Sequence, residues 1–137
     1  MKLILPLSVG IPKVRVEDRV WYANLNAYRN AHYQLLNQVK ILYKEYVHFA
    51  ITEWEFDGLL KELRPPLIFI YTYYPGSYRK TDLLNVLSIV GKFTEDALTE
   101  LNIIPDDNYK IIPAINFRLG SVDKDNPRVE LVIDEYR

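Results

Sequence analysis

The sequence predicts an α/β (α+β) fold in which helices pack on a small mixed β-sheet, in the order β-α-(α)-β-α-β-β. The strongest strand signal is 67–74, where β-branched and aromatic residues are concentrated between Pro65-Pro66 and Pro75-Gly76. Two longer stretches, about 24–50 and about 82–101, repeat apolar residues three and four positions apart, as amphipathic helices do. We therefore expect a long N-terminal helix and a second helix that follows the central strand.

The other elements have shorter signals. Apolar or alternating residues predict three further strands, a turn joins the last two, and a short helix precedes the two prolines. We expect the strands at about 2–8, 108–118 and 128–134, the turn at 123–127 and the short helix at about 56–63. For residues 9–20 we expect a loop or a short extended segment, in which Lys13, Arg15 and Arg19 alternate with valines or lie near them. These basic side chains could contact a phosphate backbone or simply be solvated.

Length and composition limit the class of protein but do not select a function. The 137 residues, 49% of them hydrophobic, predict one domain spanning 1–137 with its own core. The chain has no cysteine, which excludes disulfides and thiolate metal sites. The apolar start, Met1 to Leu7, is too short for a signal peptide or a membrane span, so we expect a cytoplasmic protein without membrane contacts. A formal net charge of −1 argues against indiscriminate coating of DNA, but it is compatible with a local basic patch.

Polar residues form a stripe on the second predicted helix. At about 100° per residue, this stripe spans roughly 80° and consists of Asp82, Asn85, Ile89, Lys92 and Asp96. The neighbouring arc is apolar and predicts the buried face, with Leu83, Val86, Leu87, Val90, Phe93, Ala97, Leu98 and Leu101. Thr81 is the expected N-cap, which would place Asp82 at the positive end of the helix dipole. An ordinary amphipathic helix with a solvated face gives the same pattern.

The functional signal is a run of charged and amide residues around this helix. The run has a basic pair, an acid and an amide at the helix start, a lysine within the helix and a final acidic pair: Arg79, Lys80, Asp82, Asn85, Lys92, Asp106 and Asp107. This succession resembles the signature of the RusA-type Holliday-junction resolvases, small dimeric nucleases of phages and prophages. That family shows a basic cluster, an Asp-x-Asp-Asn helix start, a helical lysine and an Asp-Asp turn. The similarity covers about 24–134, but its specific part is about 79–110.

The resemblance implies a metal-dependent endodeoxyribonuclease that works as a homodimer on four-way (Holliday) or branched DNA, in the host cytoplasm if the chain is phage-encoded. Its cofactor, Mg²⁺ or Mn²⁺, would be held by Asp82, Asp106 and Asp107. The catalytic residues would be Asp82, Lys92 and Asp107. The residues for DNA contact would be Arg79, Lys80 and Asn85, with Lys13 and Arg15 as further candidates.

Two features complicate this expectation. Leu84 stands where the family's second acid is expected, so the chain could be a weakened or inactive homologue that binds branched DNA without cleaving it. A dimer that binds another protein is a third alternative. A helix of about twenty residues also spans roughly 30 Å. Asp82 and Asp107 would therefore meet only if the helix bends, for which Gly91 is the candidate position, or if two protomers share a site.

Other candidate residues have ordinary structural explanations. Stacking on unpaired bases is conceivable for the tyrosines near the central strand, although strand residues usually pack on the sheet; these are Tyr71, Tyr73, Tyr74 and Tyr78. His32 and His48 have no metal-ligand spacing, and we expect them to be packing or surface residues.

Overall fold

The computed structural model describes residues 1–12, 19–56 and 63–137, and those residues form six strands and three helices. In chain order they are β1 (Lys2–Leu5), β2 (Ser8–Gly10), β3 (Val20–Tyr22), α1 (Leu25–Asn30), α2 (Tyr33–Phe56), β4 (Leu67–Tyr74), α3 (Leu83–Glu100), β5 (Ala114–Leu119) and β6 (Arg128–Glu135). The mixed α+β class that the sequence predicts is confirmed.

Four of the strands form one mixed sheet in the order β1-β6-β4-β5. β6 is antiparallel to both of its neighbours, so that Leu131 lies opposite Leu3 on one side and opposite Tyr71 on the other. β4 and β5 are parallel, with Tyr71 opposite Phe117, and α3 lies in the connection between them. β2 and β3 pair with each other in a separate antiparallel ribbon.

The helices pack on one face of the four-stranded sheet. Alternate side chains of the strands, such as Leu3, Phe69 and Ile133, are almost completely buried in the same apolar cluster as the inner faces of α2 and α3. The ring of Phe93 on α3 contacts three other rings, those of Trp21, Tyr28 and Tyr43. These contacts join the β2–β3 ribbon and the first two helices to the middle of α3.

The N-terminal third differs from its prediction. The strand predicted at 2–8 ends at Leu5, because Pro6 has no N–H with which to continue the ladder. β2 and β3 lie at the two ends of the predicted loop. The predicted helix 24–50 is divided into α1 and α2, because Ala31 ends α1 in an extended conformation with φ −81° and ψ 140°. The short helix predicted at about 56–63 falls almost entirely outside the described residues.

The strand predicted at 108–118 begins only at Ala114. Asn108 forms a turn instead, in which its side-chain oxygen accepts a hydrogen bond from the N–H of Lys110 (2.9 Å). Pro113 then removes one more backbone donor immediately before the strand. The turn thus replaces the first part of the predicted strand.

α3 agrees closely with its predicted range, but its N-cap is Asp82 and not Thr81. Asp82 has an extended backbone, with φ −68° and ψ 131°, and its carbonyl oxygen accepts the Asn85 N–H at 3.1 Å. Ile89, which the helical wheel assigns to the polar stripe, is buried. The buried arc is wider than predicted, because α3 contacts α1 and α2 as well as the sheet. The helix is continuous through Gly91.

The C-terminus of α3 is closed by a Schellman motif. Asn102 adopts the left-handed conformation, with φ 59°, which asparagine tolerates better than most residues. The N–H of Ile103 donates to the Leu98 carbonyl at 2.9 Å, and the N–H of Asn102 donates to the Thr99 carbonyl at 3.1 Å. This ending directs the chain into the turn that contains Asp106 and Asp107.

Candidate functional site

A surface groove, which we call the α3 groove, runs past the N-terminal end of α3 and encloses about 960 Å³. Its walls come from six parts of the chain, namely 4–8, 22–26, the C-terminal half of α2, Tyr73 of β4, 79–86 and 126–128. Four of the residues that the sequence singles out line it: Arg79, Lys80, Asp82 and Asn85. The structure therefore brings the basic pair, the first acid and the amide together at one place.

The basic pair lies on the turn between β4 and α3. The Ser77 hydroxyl oxygen accepts a hydrogen bond from the Arg79 N–H at 3.3 Å and so helps to order this turn. Both Arg79 and Lys80 are exposed. Within the described residues neither of them forms an ion pair. Two positive charges at the groove are thus available to an anion from solvent.

Asp82 presents an exposed carboxylate at the start of α3. Its side chain makes no capping hydrogen bond, so the carboxylate is not used to satisfy the first turn of the helix. A carboxylate in this position can bind a cation or a donor group of a ligand.

Asn85 has a structural contact that the sequence does not reveal. Its side-chain oxygen accepts a hydrogen bond from the N–H of Leu25 at 3.1 Å, which ties the first residue of α1 to α3. Asn24 caps the same helix, since its side-chain oxygen accepts the Ala27 N–H at 2.8 Å. Asn85 therefore positions one wall of the groove in addition to lining it.

The acidic pair lies beyond the opposite end of α3. An 18-residue helix spans about 27 Å, so Asp82 is separated from Asp106 and Asp107 by the length of the helix within one protomer. Lys92 is exposed on the helix between them, about 15 Å along the axis from Asp82. Among residues 1–12, 19–56 and 63–137, no three acidic or histidine side chains are arranged to hold a metal ion. One protomer does not assemble the metal site that the resemblance implies.

The two acids of the pair differ in their environments. The Asp106 carboxylate accepts hydrogen bonds from the N–H of Asp107 (2.8 Å) and from the side-chain amide of Asn108 (2.9 Å), and these bonds lower its pKa. Partial burial raises the pKa of Asp107, and the adjacent Asp106 carboxylate raises it further. A bound cation would offset this repulsion between the two neighbouring acids.

A second acidic group near this end was not anticipated from the sequence. Glu95 is half-buried against β4, where its Oε2 accepts a 2.7 Å hydrogen bond from the Tyr71 hydroxyl. Burial raises the pKa of Glu95 to about 7, the Tyr71 bond opposes this rise, and the charges of Asp107 and Asp96 add to it. Asp96 itself faces α2, with the Lys40 amine 3.9 Å from its carboxylate. Glu95 thus holds its proton more tightly than an ordinary glutamate does.

The four tyrosines in and after the central strand have different environments. Tyr71 is completely buried, and Tyr74 lies beneath the Arg128 guanidinium, 4.2 Å from the ring centre. Tyr73 lines the α3 groove, and Tyr78 is exposed outside its lining. The exposed rings in the groove are instead those of Tyr22, Tyr46 and Phe49. Their positions depend on the packing of α2 against β2, the strand paired with β3, which no local sequence signal reports.

No protein-family model matches this chain, and no curated protein matches it.

Lys13 and Arg15, the further candidates for DNA contact, lie outside the described residues. No described helix combines the length and the apolar character needed to cross a lipid bilayer.

Proposed function

We propose that this protein is a Mg²⁺- or Mn²⁺-dependent endodeoxyribonuclease of the RusA type, which resolves four-way or branched DNA by paired nicks and acts in the cytoplasm. The observation that carries this proposal is the convergence of Arg79, Lys80, Asp82 and Asn85 on the α3 groove. Exposed cations beside an exposed carboxylate suit a phosphodiester backbone that must be held next to a metal-binding acid.

The residues of this chain have distinct roles in the proposal. Arg79 and Lys80 bind phosphates on either side of the scissile bond, which fixes the position of the strand without reading its sequence. Lys92, which the resemblance assigns to the charge that develops on the phosphate, lies about 15 Å along α3 from Asp82, so it would bind a phosphate farther along the strand and not the scissile one. Asp82 and Asp107, with Asp106 assisting, are the metal ligands, and the metal supplies activation of water and charge neutralisation when it is bound.

The proposal requires a homodimer with shared sites, because the acids are separated along α3. Asp82 at one end of the helix and Asp107 beyond the other end do not converge within a protomer. A twofold axis that sets the two α3 helices antiparallel would bring Asp82 of each protomer toward the partner's Asp107. The same axis would create two equivalent sites, as paired nicks in a four-way junction require.

The test is incubation of the purified protein with a labelled synthetic four-way junction in Mg²⁺, Mn²⁺ or EDTA. We expect symmetric nicks with either metal, none in EDTA, and none from the Asp82→Asn variant, which should still bind the junction. Glu45→Gln is the matched control, because Glu45 is an exposed acid of α2 outside the groove lining. Equal nicking by Asp82→Asn and wild type would refute the assigned site, and the absence of nicks under all conditions would refute the nuclease.

A second candidate function is recognition of branched DNA without cleavage. The observation that favours it is Leu84, which stands in the first turn of α3 with a 63% exposed side chain. The leucine makes no contribution to the core that would explain its presence there. Under this alternative the chain keeps the phosphate-binding residues and lacks one acid for the chemistry.

A further inference from the structure

The α3 groove contains three exposed aromatic side chains that the proposed chemistry does not use. Tyr22, Tyr46 and Phe49 line it with exposed fractions of 62%, 44% and 63%, respectively. Within the described part of the chain, these rings make no ring–ring contact and the two hydroxyls form no hydrogen bond. Three exposed rings in the lining of one concave surface offer apolar area that a ligand with a planar apolar face would cover.

The chain holds these rings on ordered elements. Tyr22 follows the buried Trp21 on β3, so strand alternation turns its side chain away from the core. Tyr46 and Phe49 are three positions apart on α2, next to a core face that includes Tyr43. The Tyr43 hydroxyl donates a 2.9 Å hydrogen bond to the Pro6 carbonyl, which fastens α2 to the floor of the groove. The rings therefore belong to a largely preformed surface.

Two cations of the groove indicate where an anionic part of its ligand would lie; the lining also contains the carboxylates of Asp82 and Glu53. Arg79 and Lys80 are the groove cations without an ion pair among the described residues, whereas Arg128 is bound to Asp123 and Glu130 at 2.8 Å each. An anionic group of the ligand would therefore lie at the Arg79–Lys80 side. The planar part would lie toward the rings of α2 and β3.

We propose that the α3 groove binds an unpaired nucleotide of a DNA strand, with its base on the Tyr22, Tyr46 and Phe49 rings and its phosphate at Arg79 and Lys80. A base inside a duplex offers no free face to a side chain, so only an unpaired or displaced base can stack here. The groove volume of about 960 Å³ lies in the range of sites for small molecules and cofactors. The polar edges of the base would meet the nearby side chains of Asn24, Asn26 and Asn126.

This inference rests on the proposed function for the identity of the substrate. It adds that the enzyme prefers branched DNA with unpaired nucleotides at the branch point. Its geometry comes from the groove alone. Binding of single strands can consequently be measured whether or not the protein cleaves a junction.

The first measurement is fluorescence of the full-length chain with a single-stranded oligonucleotide that carries one 2-aminopurine, beside a blunt duplex of the same sequence. We expect quenching of the probe and tighter binding of the single strand than of the duplex. Tyr22→Ala and Phe49→Ala should each weaken single-strand binding about tenfold and abolish the quenching, since base stacking has this magnitude. Tyr33→Ala and Tyr109→Ala are matched controls, because both tyrosines are exposed outside the groove lining.

Conservative substitutions separate stacking from misfolding. Tyr22→Phe and Phe49→Tyr retain a ring and should retain both affinity and quenching. Replacing Arg79 and Lys80 together by glutamine should lower the slope of log affinity against log salt by about 0.7 for each lost phosphate contact. Wild-type affinity in both alanine variants, or equal wild-type affinity for single strand and duplex, overturns the inference. If either of these two results is found but a four-way junction is still nicked, the groove inference fails and the nuclease proposal stands. If single strands bind as expected but no junction is nicked, the nuclease proposal fails and the groove inference stands.

Discussion

The hydroxyl of Tyr71 donates a 2.7 Å hydrogen bond to Oε2 of Glu95, across the interface between the central strand β4 and α3. Gly91 packs against this pair: a Cβ at position 91 would lie 3.3 Å from Oε2 of Glu95, so the carboxylate would have to shift slightly, and 3.6 Å from the Tyr71 hydroxyl, which is an ordinary contact. Burial raises the pKa of Tyr71 well above its ordinary value, so the tyrosine keeps its proton and remains the donor. The glycine that the sequence offered as a bend thus serves a close contact within a continuous helix.

We expect the free energy of unfolding to depend on pH through the ionisation of Glu95. Its pKa is about 7 in the folded protein and 4.5 ordinarily, so the folded state binds more protons between those values. Its contribution to the free energy of unfolding is therefore complete below pH 4.5 and is lost as the pH rises to about 7. A shift of this size corresponds to roughly 3 kcal/mol at most.

Glu95→Gln should remove this loss, because glutamine stays neutral and can still accept the Tyr71 hydrogen bond. We expect the variant to match wild type near pH 4.5 and to exceed its free energy of unfolding at pH 8 by about 1–3 kcal/mol. Urea unfolding at a series of pH values measures this, with Glu45→Gln as the exposed control. An unchanged pH slope in Glu95→Gln would contradict the assignment of the raised pKa to this side chain.

A second prediction concerns Gly120, which follows β5. A Cβ at this position would lie 2.6 Å from Cε1 of the Tyr74 ring, closer than real contacts allow. The ring cannot move away freely, because the Arg128 guanidinium lies over it and is itself held by Asp123. Gly120→Ala should therefore lower the free energy of unfolding by about 1–3 kcal/mol.

Denaturant unfolding of Gly120→Ala measures this loss, and Ser121→Ala is the neighbouring exposed control. A double-mutant cycle with Tyr74→Ala identifies the cause, because the alanine at 120 should cost much less once the ring is absent. An equal cost in both backgrounds would show that the ring is not responsible.

Local sequence signals were sufficient for the elements that position the site. The β-branched and aromatic run gave β4 with its observed bounds, and the helical repeat gave α3 to within one residue at each end. Both signals arise from neighbours in the chain, which is why they could be read without knowledge of the fold.

Features that depend on distant residues were not predictable in this way. The Tyr71–Glu95 bond joins residues 24 positions apart, and the bond between Leu25 and Asn85 joins residues 60 positions apart. The groove unites segments from both ends of the chain. Propensity and spacing carry no information about such approaches, so the sequence identified Arg79, Lys80, Asp82 and Asn85 without showing that they share a surface with Tyr22 and Phe49.

Leu84→Asp distinguishes the active enzyme from a binding homologue. The leucine is 63% exposed at the start of α3, so an aspartate there costs little burial and is favoured by the helix dipole. If the native protein binds branched DNA without cutting it, we expect this substitution to produce metal-dependent nicking. Leu84→Asn, which has nearly the same shape without the charge, is the control. Nicking by the asparagine variant as well would show that the new charge is not the cause.

A mixture of two variants tests whether the proposed metal-binding acids are shared between protomers. Asp82→Asn and Asp107→Asn should each abolish nicking alone, because every site of either homodimer lacks one acid. In a mixed dimer with shared sites, one site has lost both acids and the other retains both. After random exchange of protomers, roughly a quarter of the wild-type number of intact sites should therefore return. The measurement is nicking of a four-way junction after the variants are unfolded and refolded together.

The arrangement of the recovered cuts is as informative as their amount. A mixed dimer has a single working site, so it should nick one strand of the junction and not the symmetric pair. Refolding Asp82→Asn with itself controls for recovery caused by the procedure. If the acids of each site came from one protomer, every site in the mixture would lack one acid and no activity would return. Recovery of single nicks thus requires both a dimer and a site to which Asp82 and Asp107 come from different protomers.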